Sequence, residues 1–315
     1  MASPLLPPDL RARLRTLAIV PRLPPPAGPL GQAASRRRGT GLEFSQYRAY
    51  EPGDEPRRID WKLYARSDRY FVREAESEAA LRVWVVLDAS ASMGQEEGLA
   101  AGPEQGAGQG IAAAMGSSSI GVRDAGRSKW DAARALAAAT IELALRQGDQ
   151  FGLLVVRDAA LAWVGEGSGP RHRDRCLHAL EQATPAGRWP DAEALRVAWS
   201  RIPPGSVVLL VGDGFDATAE AFAVRLSSTG RDVRSIALST LDERQFPLRG
   251  SYVFEDPETG ARVEVDAARA REAYLQAFAD ARNAHARRLA TAGARHLEHS
   301  LGQPLDRALR VLAHA

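Results

Sequence analysis

Asp88, Ser90 and Ser92 stand at alternate positions directly after a continuous apolar run, Val83-Trp84-Val85-Val86-Leu87. One carboxylate and two hydroxyls so closely spaced offer only hard oxygen donors, a set that suits Mg²⁺, Mn²⁺ or Ca²⁺. In a tight turn, alternate residues can aim their oxygens inward, and the small Ala89 and Ala91 permit close approach. Mg²⁺ retains several waters, so few protein ligands suffice. A second run, Ser206-Val207-Val208-Leu209-Leu210-Val211-Gly212, also ends in an aspartate, Asp213, and two such residues could converge on one ion. The same spacing equally suits a cap in which Ser90 and Ser92 satisfy backbone N–H groups. From spacing alone the two readings stand level.

The elements that must position these residues follow from periodicity. A near-unbroken apolar run bounded by polar residues is the pattern of a parallel strand covered on both faces, and ligands in open α/β sheets sit outside the carboxyl ends of such strands. Ser128-Lys129-Trp130-Asp131 is a capping-box pattern opening a helix with Trp130, Ala133, Ala137, Ile141 and Ala144 on one face, ended by Gly148. Phe151 to Val156 reads as a strand and Ala160 to Val164 as a shorter antiparallel one. Helices are predicted over Arg173 to Gln182, Asp191 to Trp199 and Ala217 to Ser227, and strands over Val207 to Val211 and Val233 to Leu238. Tyr252-Val253-Phe254 and Arg262-Val263-Glu264-Val265 flank Asp256-Pro257-Glu258-Thr259-Gly260 as a hairpin. A long helix, Ala267 to Ala292, carries Tyr274, Phe278, Ala281, His285 and Leu289 on one stripe, with Gly293 as its cap. His296 to Ser300 could be a last strand, and Pro304 starts a final helix with Leu305, Leu309 and Leu312 aligned. This alternation predicts an α/β fold with a mostly parallel sheet and helices on both faces.

The chain has 315 residues, 45% of them hydrophobic and 25% charged, enough to bury a substantial core. Residues 1–35 read as an arm, with a short amphipathic segment at Leu10 to Ile19 and a Pro-rich linker from Pro21 to Pro29. Residues 36–80 are rich in aromatics and read as a small packed subdomain. Residues 81–240 hold the main α/β pattern, interrupted at 94–126 by a Gly/Ala/Ser/Gln-rich stretch that reads as a disordered insertion. Residues 241–315 complete the domain. Lys and Arg number 41 against 39 Asp and Glu, so the net charge of +2 gives no large field to recruit nucleic acid or an anionic membrane. The single cysteine, Cys176, excludes an internal disulfide and a multi-cysteine metal site. Met1 to Asp9 lacks the pattern of a signal peptide and no apolar run reaches the length of a membrane span, so a cytoplasmic protein is expected.

Other chemistry fits poorly. A phosphatase of the haloacid-dehalogenase type needs a second Asp where Ser90 stands, and no Gly-x-Ser-x-Gly surrounds Ser90 or Ser92. Gly106, Gly108 and Gly110 are not followed by the Gly-Lys-Ser/Thr of a phosphate cradle. Arg57, Arg58, Arg66, Arg69 and Arg73 interleave with Asp54, Glu55, Asp60, Asp68 and Glu74, which favours local ion pairs over an anion site. His296 and His299, three apart in a strand, face opposite ways and are not joint ligands. His285 reads as a hydrogen-bonded packing residue, and Cys176 as a buried inert thiol.

One segment is more specific. Tyr50-Glu51-Pro52-Gly53-Asp54-Glu55-Pro56-Arg57-Arg58-Ile59-Asp60-Trp61-Lys62-Leu63-Tyr64-Ala65-Arg66, continuing to Tyr70-Phe71-Val72-Arg73-Glu74, resembles the bacterial family known as domain of unknown function 58. The resemblance runs from about Arg36 to the C-terminus and includes the Asp-Pro-Glu-Thr-Gly hairpin. It implies a von Willebrand factor A-like fold, a Rossmann-like sheet, whose first strand ends in a metal-ion-dependent adhesion motif matched by Asp88, Ser90 and Ser92. Asp213 matches the Asp of such a site after the fourth strand. The threonine ligand has no match, because in Gly187-Arg188-Trp189-Pro190-Asp191 a proline without side-chain oxygen stands in its place; water or Asp191 could substitute. The resemblance further implies a non-enzymatic interaction module whose cation grips a carboxylate of a partner protein, and a MoxR-type AAA+ ATPase as that partner. Two alternatives remain: a metal-dependent phosphoesterase, for which only Asp191 offers a general base, and a binding surface with a degenerate metal site.

Overall fold

Residues 1–23 and 81–315 fold as one unit, and residues 24–80 as a second. The structure is a computed structural model that describes residues 5–6, 8–22, 37–39, 43–50, 59–77, 80–96, 128–157 and 160–313. The first unit starts with α1 (Pro8–Arg13) and a 3-10 turn, Leu14–Thr16. The second unit holds β1 (Arg37–Gly39), β2 (Glu43–Ala49), α2 (Trp61–Ser67) and β3 (Phe71–Ser77), its strands antiparallel in the order β1-β3-β2. Asp60 caps α2 by accepting from the backbone N–H groups of Lys62 and Leu63, both at 3.0 Å. Tyr64 stacks on Tyr70 with ring centroids 4.6 Å apart, and Trp61 meets both edge-on, while Trp61 and Tyr70 remain 59% and 46% exposed. Glu51 to Arg58, with four members of the charged cluster, lie outside the described residues, as do the side chains of Arg73 and Glu74.

The remaining strands of the main sheet are β4 (Arg82–Asp88), β5 (Gln150–Arg157), β6 (Ala160–Gly167), β7 (Val207–Gly212), β8 (Asp232–Ser239) and β11 (Arg295–Ser300). A separate antiparallel pair, β9 (Ser251–Glu255) and β10 (Arg262–Asp266), forms the predicted hairpin. Helices α3 (Lys129–Gln147), α4 (Pro170–Gln182), α5 (Ala192–Arg201), α6 (Ala217–Ser228), α7 (Leu241–Gln245), α8 (Ala267–Thr291) and α9 (Leu305–Ala313) connect them. Strand order is β11-β8-β7-β4-β5-β6, parallel throughout except for β6, which runs antiparallel to β5. This is the mostly parallel α/β sheet that the periodicity predicts.

Side chains alternate across β4, so Val83, Val85 and Leu87 enter one core with α3, α4 and α9 while Trp84 and Val86 enter another with α5 and α6. All five are buried, each contributing about 1.5–3 kcal/mol relative to exposure. Short side chains let α3 lie close to the sheet; Ala133, Ala137 and Ala138 are fully buried. On the opposite face Trp84 stacks near Trp163 at 4.6 Å, over Gly152, where a Cβ would come within 2.4 Å of the Trp84 ring. Central strands β4 and β7 thus end together at the carboxyl edge, with Leu87 opposite Val211.

The N-terminal segment is not an arm. Leu6, Leu10, Leu14 and Ile19 are buried in the core that contains Leu309 and Leu312 of α9. Gln147 clamps Ile19, accepting from its N–H at 2.7 Å and donating to its carbonyl at 3.2 Å. Val20 N–H donates to the carbonyl of Leu312 at 3.0 Å. The fully buried Arg234 of β8 donates to the carbonyls of Val20 and Leu312 and is paired with Asp232 at 2.6 Å. A run too short to be a stable helix alone is held by its buried leucines, and the Val20 carbonyl beyond it serves a buried guanidinium that needs acceptors.

One smaller correction concerns α8. In α8 it is Arg282, not Ala281, that faces inward with His285 and Leu289. The expected insertion falls largely outside the described residues, but its ends meet: Glu96 and Ser128 form an antiparallel bridge, and Lys129 N–H donates to Gln95 O at 3.0 Å. Among the described residues no helix is long and apolar enough to cross a membrane.

Candidate functional site

Asp88 ends β4 with only 2% of its surface exposed. Its Oδ1 accepts the backbone N–H of Ser90 at 2.8 Å, which curls the chain back at the strand end and leads into a 3-10 turn, Ala91–Gly94. The Ser90 and Ser92 hydroxyls lie 3.0 Å apart, and Ser92 Oγ donates to Asp213 Oδ2 at 2.7 Å. Asp213 repeats the Asp88 device, its Oδ1 accepting from Phe215 N–H at 3.1 Å. Gly212 makes the convergence possible, since a Cβ there would stand 2.9 Å from both Cβ and Oδ2 of Asp88. The four residues singled out in the sequence therefore meet at one point on the carboxyl edge. The alternative capping role for the serines is not met, because neither hydroxyl accepts a backbone N–H; Ser90 instead gives its own N–H to Asp88, and the two hydroxyls turn to each other and to Asp213.

Burial, reinforced by the charge of Asp213, pushes the Asp88 carboxyl up to about 7. Ser90 and the Trp189 indole pull in the other direction. Trp189 is 4% exposed and its Nε1–H faces the carboxylate without closing a hydrogen bond of ordinary geometry. Two buried carboxylates flanking the paired hydroxyls of Ser90 and Ser92 form an oxygen-only set whose mutual repulsion a cation would relieve, so the residues fit a hard divalent ion. Among the described residues there is no group of three or more His, Cys, Asp or Glu arranged to hold a metal. The hydroxyls would have to complete the set.

Charged neighbours that the sequence reading passed over crowd Asp213. Lys129, 1% exposed at the first turn of α3, donates to Glu243 Oε1 at 2.8 Å and lies 3.7 Å from Asp213 Oδ2. Glu243 is fixed by a capping box with Thr240, accepting from Thr240 N–H at 2.8 Å while its own N–H donates to Thr240 Oγ1 at 3.0 Å. Arg282, 4% exposed, donates to the carbonyls of Asp213 at 2.6 Å and Leu238 at 3.2 Å, its guanidinium lying over the rings of Phe215 and Phe278. Lys129 was visible inside the capping-box tetrapeptide, and Arg282 falls in helical register with Phe278, His285 and Leu289. Neither signal is distinctive without a contact to explain it. From the β9–β10 hairpin, Glu258 brings a half-buried carboxyl into the neighbourhood of the serine turn. Burial raises its pKa first, and the charges of Asp213, Asp216 and Asp256 raise it further.

The loop before α5 lies beside the serine turn, as the resemblance implied. Ala186 N–H donates to Ala89 O at 2.9 Å, and Ala91 N–H donates to Gly187 O at 2.8 Å. Pro190 is buried there and supplies no oxygen from its side chain. Asp191, the possible substitute, is exposed and caps α5 by accepting from Ala194 N–H at 2.9 Å, so its carboxylate is not among those gathered with Ser90, Ser92 and Asp213. The helix start competes for this carboxylate and holds it.

Elsewhere, His285 pairs with Glu220 at 2.7 Å and contacts His296, with ring centroids 5.0 Å apart. Burial lowers His296 and His299 to about 4, consistent with neutral packing imidazoles. Cys176 is buried, which raises its thiol to about 12.

Three solved structures can be compared with this arrangement. The conserved hypothetical protein BatB from Bacteroides thetaiotaomicron is 13% identical, with a TM-score of 0.38 over 74% of this chain and 98% of that one. An aerotolerance-related membrane protein from Bacteroides fragilis is 17% identical, with a TM-score of 0.42 over 74% and 96%. The SpRpn10 VWA domain is 11% identical, with a TM-score of 0.40 over 75% and 99%. In sequence the chain is similar to the uncharacterized proteins Rv1480 of Mycobacterium tuberculosis and Mb1516 of Mycobacterium bovis, each 28% identical over 263 residues, 80% of this chain and 72% of the relative. The family model described as "Protein of unknown function DUF58" matches residues 46–99 and 109–284, most of the chain, and the protein belongs to that family.

Proposed function

We propose that this protein is a non-enzymatic interaction module that binds a divalent cation, Mg²⁺ or a close substitute, at the carboxyl edge of its sheet and through it docks an acidic residue of a partner protein. The observation that carries the reading is the convergence of Asp88, Ser90, Ser92 and Asp213, with Asp88 held near its titration midpoint beside a second carboxylate. When bound, such an ion supplies positive charge and an open position for one more oxygen ligand. Asp88 and Asp213 would hold it, and the two hydroxyls would add to its shell. Hydrolysis would need a general base at the same point, and Asp191, the residue the sequence offers for that role, is committed to capping α5. A MoxR-type AAA+ ATPase is the partner we propose from the family resemblance, in a cytoplasmic setting that suits a chain with one buried thiol.

One observation favours a second reading. Lys129 already sets a buried ammonium beside Asp213, so the edge could dock a partner without metal, as a degenerate site. Calorimetry with Mn²⁺ separates the two. The first reading expects one Mn²⁺ per chain in the wild type, with affinity reduced at least about tenfold in Asp88→Ala, and partner capture that weakens in chelator. No heat of binding in the wild type would reject it in favour of the metal-free surface.

A further inference from the structure

The small unit carries an aromatic surface that its own fold does not cover. Trp61 opens α2, Tyr64 follows one turn later and Tyr70 stands just before β3; Trp61 and Tyr70 each leave about half of their surface in solvent. Rings of this size bring a large gain when buried, so a contiguous group left outside marks a contact surface. Its mounting is firm. Asp60 caps the start of α2 and gives its own N–H to Phe71 O at 2.9 Å, which ties the helix to β3. At the other end Asp68, at φ +51°, donates its N–H to Tyr64 O at 2.9 Å, and Tyr50 N–H donates to Tyr70 O at 2.9 Å. The rings are therefore ordered before any partner arrives, which lowers the entropy cost of docking.

The charges beside the rings say what kind of partner fits. With about 3.6 residues per turn, Ala65, Lys62 and Arg66 follow Trp61 around α2, and all four are exposed, as is Arg69 just past the helix end. None of these three cations pairs with Asp60 or Asp68, so the local pairing predicted from the interleaved charges is not made here. Asp60 is committed to its cap, which leaves Asp68 as the exposed acid of this stretch. Tryptophan, tyrosine and arginine side by side are the residue types that dominate the energy of protein–protein contacts. We propose that this face of α2 docks an acidic segment of a partner protein, whose carboxylates meet Lys62, Arg66 and Arg69 while an apolar side chain of the segment covers Trp61 and Tyr70. The excess of exposed cations repels a basic segment and equally a second copy of the same face. A single-stranded nucleic acid suits the surface less well, because it binds by laying bases on open ring faces, and Tyr64 and Tyr70 already spend one face each on the other at 4.6 Å. The surface needs no cation, so it stands or falls separately from the site at the carboxyl edge.

Fluorescence anisotropy with the full-length chain in chelator tests this, using three short labelled peptides. One alternates Asp and Glu with Leu and Phe, the second has Asn and Gln in place of the acids, and the third has Lys in their place. The wild type should bind the acidic peptide at least about tenfold more tightly than the neutral one, with a preference that shrinks as salt rises. Trp61→Ala should weaken binding of the acidic peptide at least about tenfold with its unfolding transition unchanged, since the ring is exposed. Arg66→Glu combined with Arg69→Glu should move the preference from the acidic to the Lys peptide. No binding of the acidic peptide by the wild type, equal affinity in Trp61→Ala, or a preference that survives the double charge reversal overturns the proposal. Capture that requires Mn²⁺ would assign the peptide to the carboxyl edge, and tighter binding of single-stranded oligothymidylate, lost in Trp61→Ala, would assign the surface to nucleic acid; either result overturns it as well.

Discussion

Replacing Lys129 by Met removes one charge while keeping the length of the buried stem, and the structure fixes what is left behind. The ammonium, 1% exposed, bridges Glu243 at 2.8 Å and Asp213 at 3.7 Å, whose side chains are 12% and 7% exposed. Removing one partner of a buried ion pair costs about 3–5 kcal/mol, because the surviving charge stays desolvated. The lower end applies, since Glu243 keeps its bond to Thr240 N–H and Asp213 keeps those from Ser92 and Phe215. In a folded unit of this size each kcal/mol lowers Tm by about 2–4 °C, so Lys129→Met should melt roughly 6–12 °C below wild type in chelator. Urea unfolding with an unchanged m-value would assign the loss to the folded state. The same change strips Asp213 of its nearby positive charge, so Mn²⁺ should stabilise the variant more than the wild type. A variant within about 1 kcal/mol of wild type would refute the buried bridge. Equal stabilisation by Mn²⁺ would refute the idea that Lys129 and the cation compete for Asp213.

Asp88 makes a pH-dependent prediction. Its folded pKa is raised from 3.8 to about 7, so the folded state binds more protons across that interval and the stability attributable to Asp88 falls as pH rises through it. His296 and His299, lowered from 6.5 to about 4, impose the opposite slope in the overlapping window, so the effect must be read as the difference between wild type and Asp88→Asn. That difference should shift on the order of a few kcal/mol in favour of the variant between about pH 4 and 7, and urea titrations at stepped pH that show no shift would contradict the burial assigned to the carboxyl. Gly212→Ala should cost about 1–3 kcal/mol and weaken Mn²⁺ binding, since its Cβ would meet Asp88 at 2.9 Å; unaltered calorimetry would count against the tight approach of β7 to Asp88. Gly152→Ala, with its Cβ 2.4 Å from the Trp84 ring, should lower stability by a similar amount and alter tryptophan fluorescence while leaving Mn²⁺ binding intact. The thiol of Cys176 should resist a disulfide reagent in the native protein and react at the rate of unfolding, and rapid native labelling would place it at the surface.

The sheet was legible because β4, β5 and β7 are built on continuous apolar runs and the helices between them carry caps at Ser128, Gly148 and Asp191. Both kinds of signal are local, and so was the convergence at the edge, since an aspartate directly after a central parallel strand has only one place to go. Illegible features depended on contacts across the chain. Leu6, Leu10 and Leu14 look like a weak helix until Arg234 is seen to need the Val20 carbonyl, from a strand far along the sequence. Arg282 looks like a solvated face of a long helix until the Asp213 carbonyl is placed beneath it. Asp191 looked available for the same reason in reverse, because a helix cap and a metal ligand share one residue type and only the Ala194 N–H distinguishes them.

The contacts missed in the sequence also bear on how the site could be controlled. β10 ends at Asp266, which is itself the N-cap of α8, accepting from Ala268 and Arg269 N–H groups. Hairpin and helix are therefore one continuous piece of chain with no linker between them. That piece touches the candidate site at the Asp213 carbonyl through Arg282, and Tyr274, earlier in the helix, donates to the Glu243 carbonyl at 3.0 Å. Glu243 in turn holds Lys129, the counter-charge of Asp213. Any motion of α8 must therefore strain both the guanidinium that fixes the Asp213 loop and the bond from Tyr274 to Glu243. A motion confined to β9 and β10, whose Val253 and Val263 are 45% and 58% exposed, leaves both in place, so loosening of the hairpin should leave Asp213 where it was.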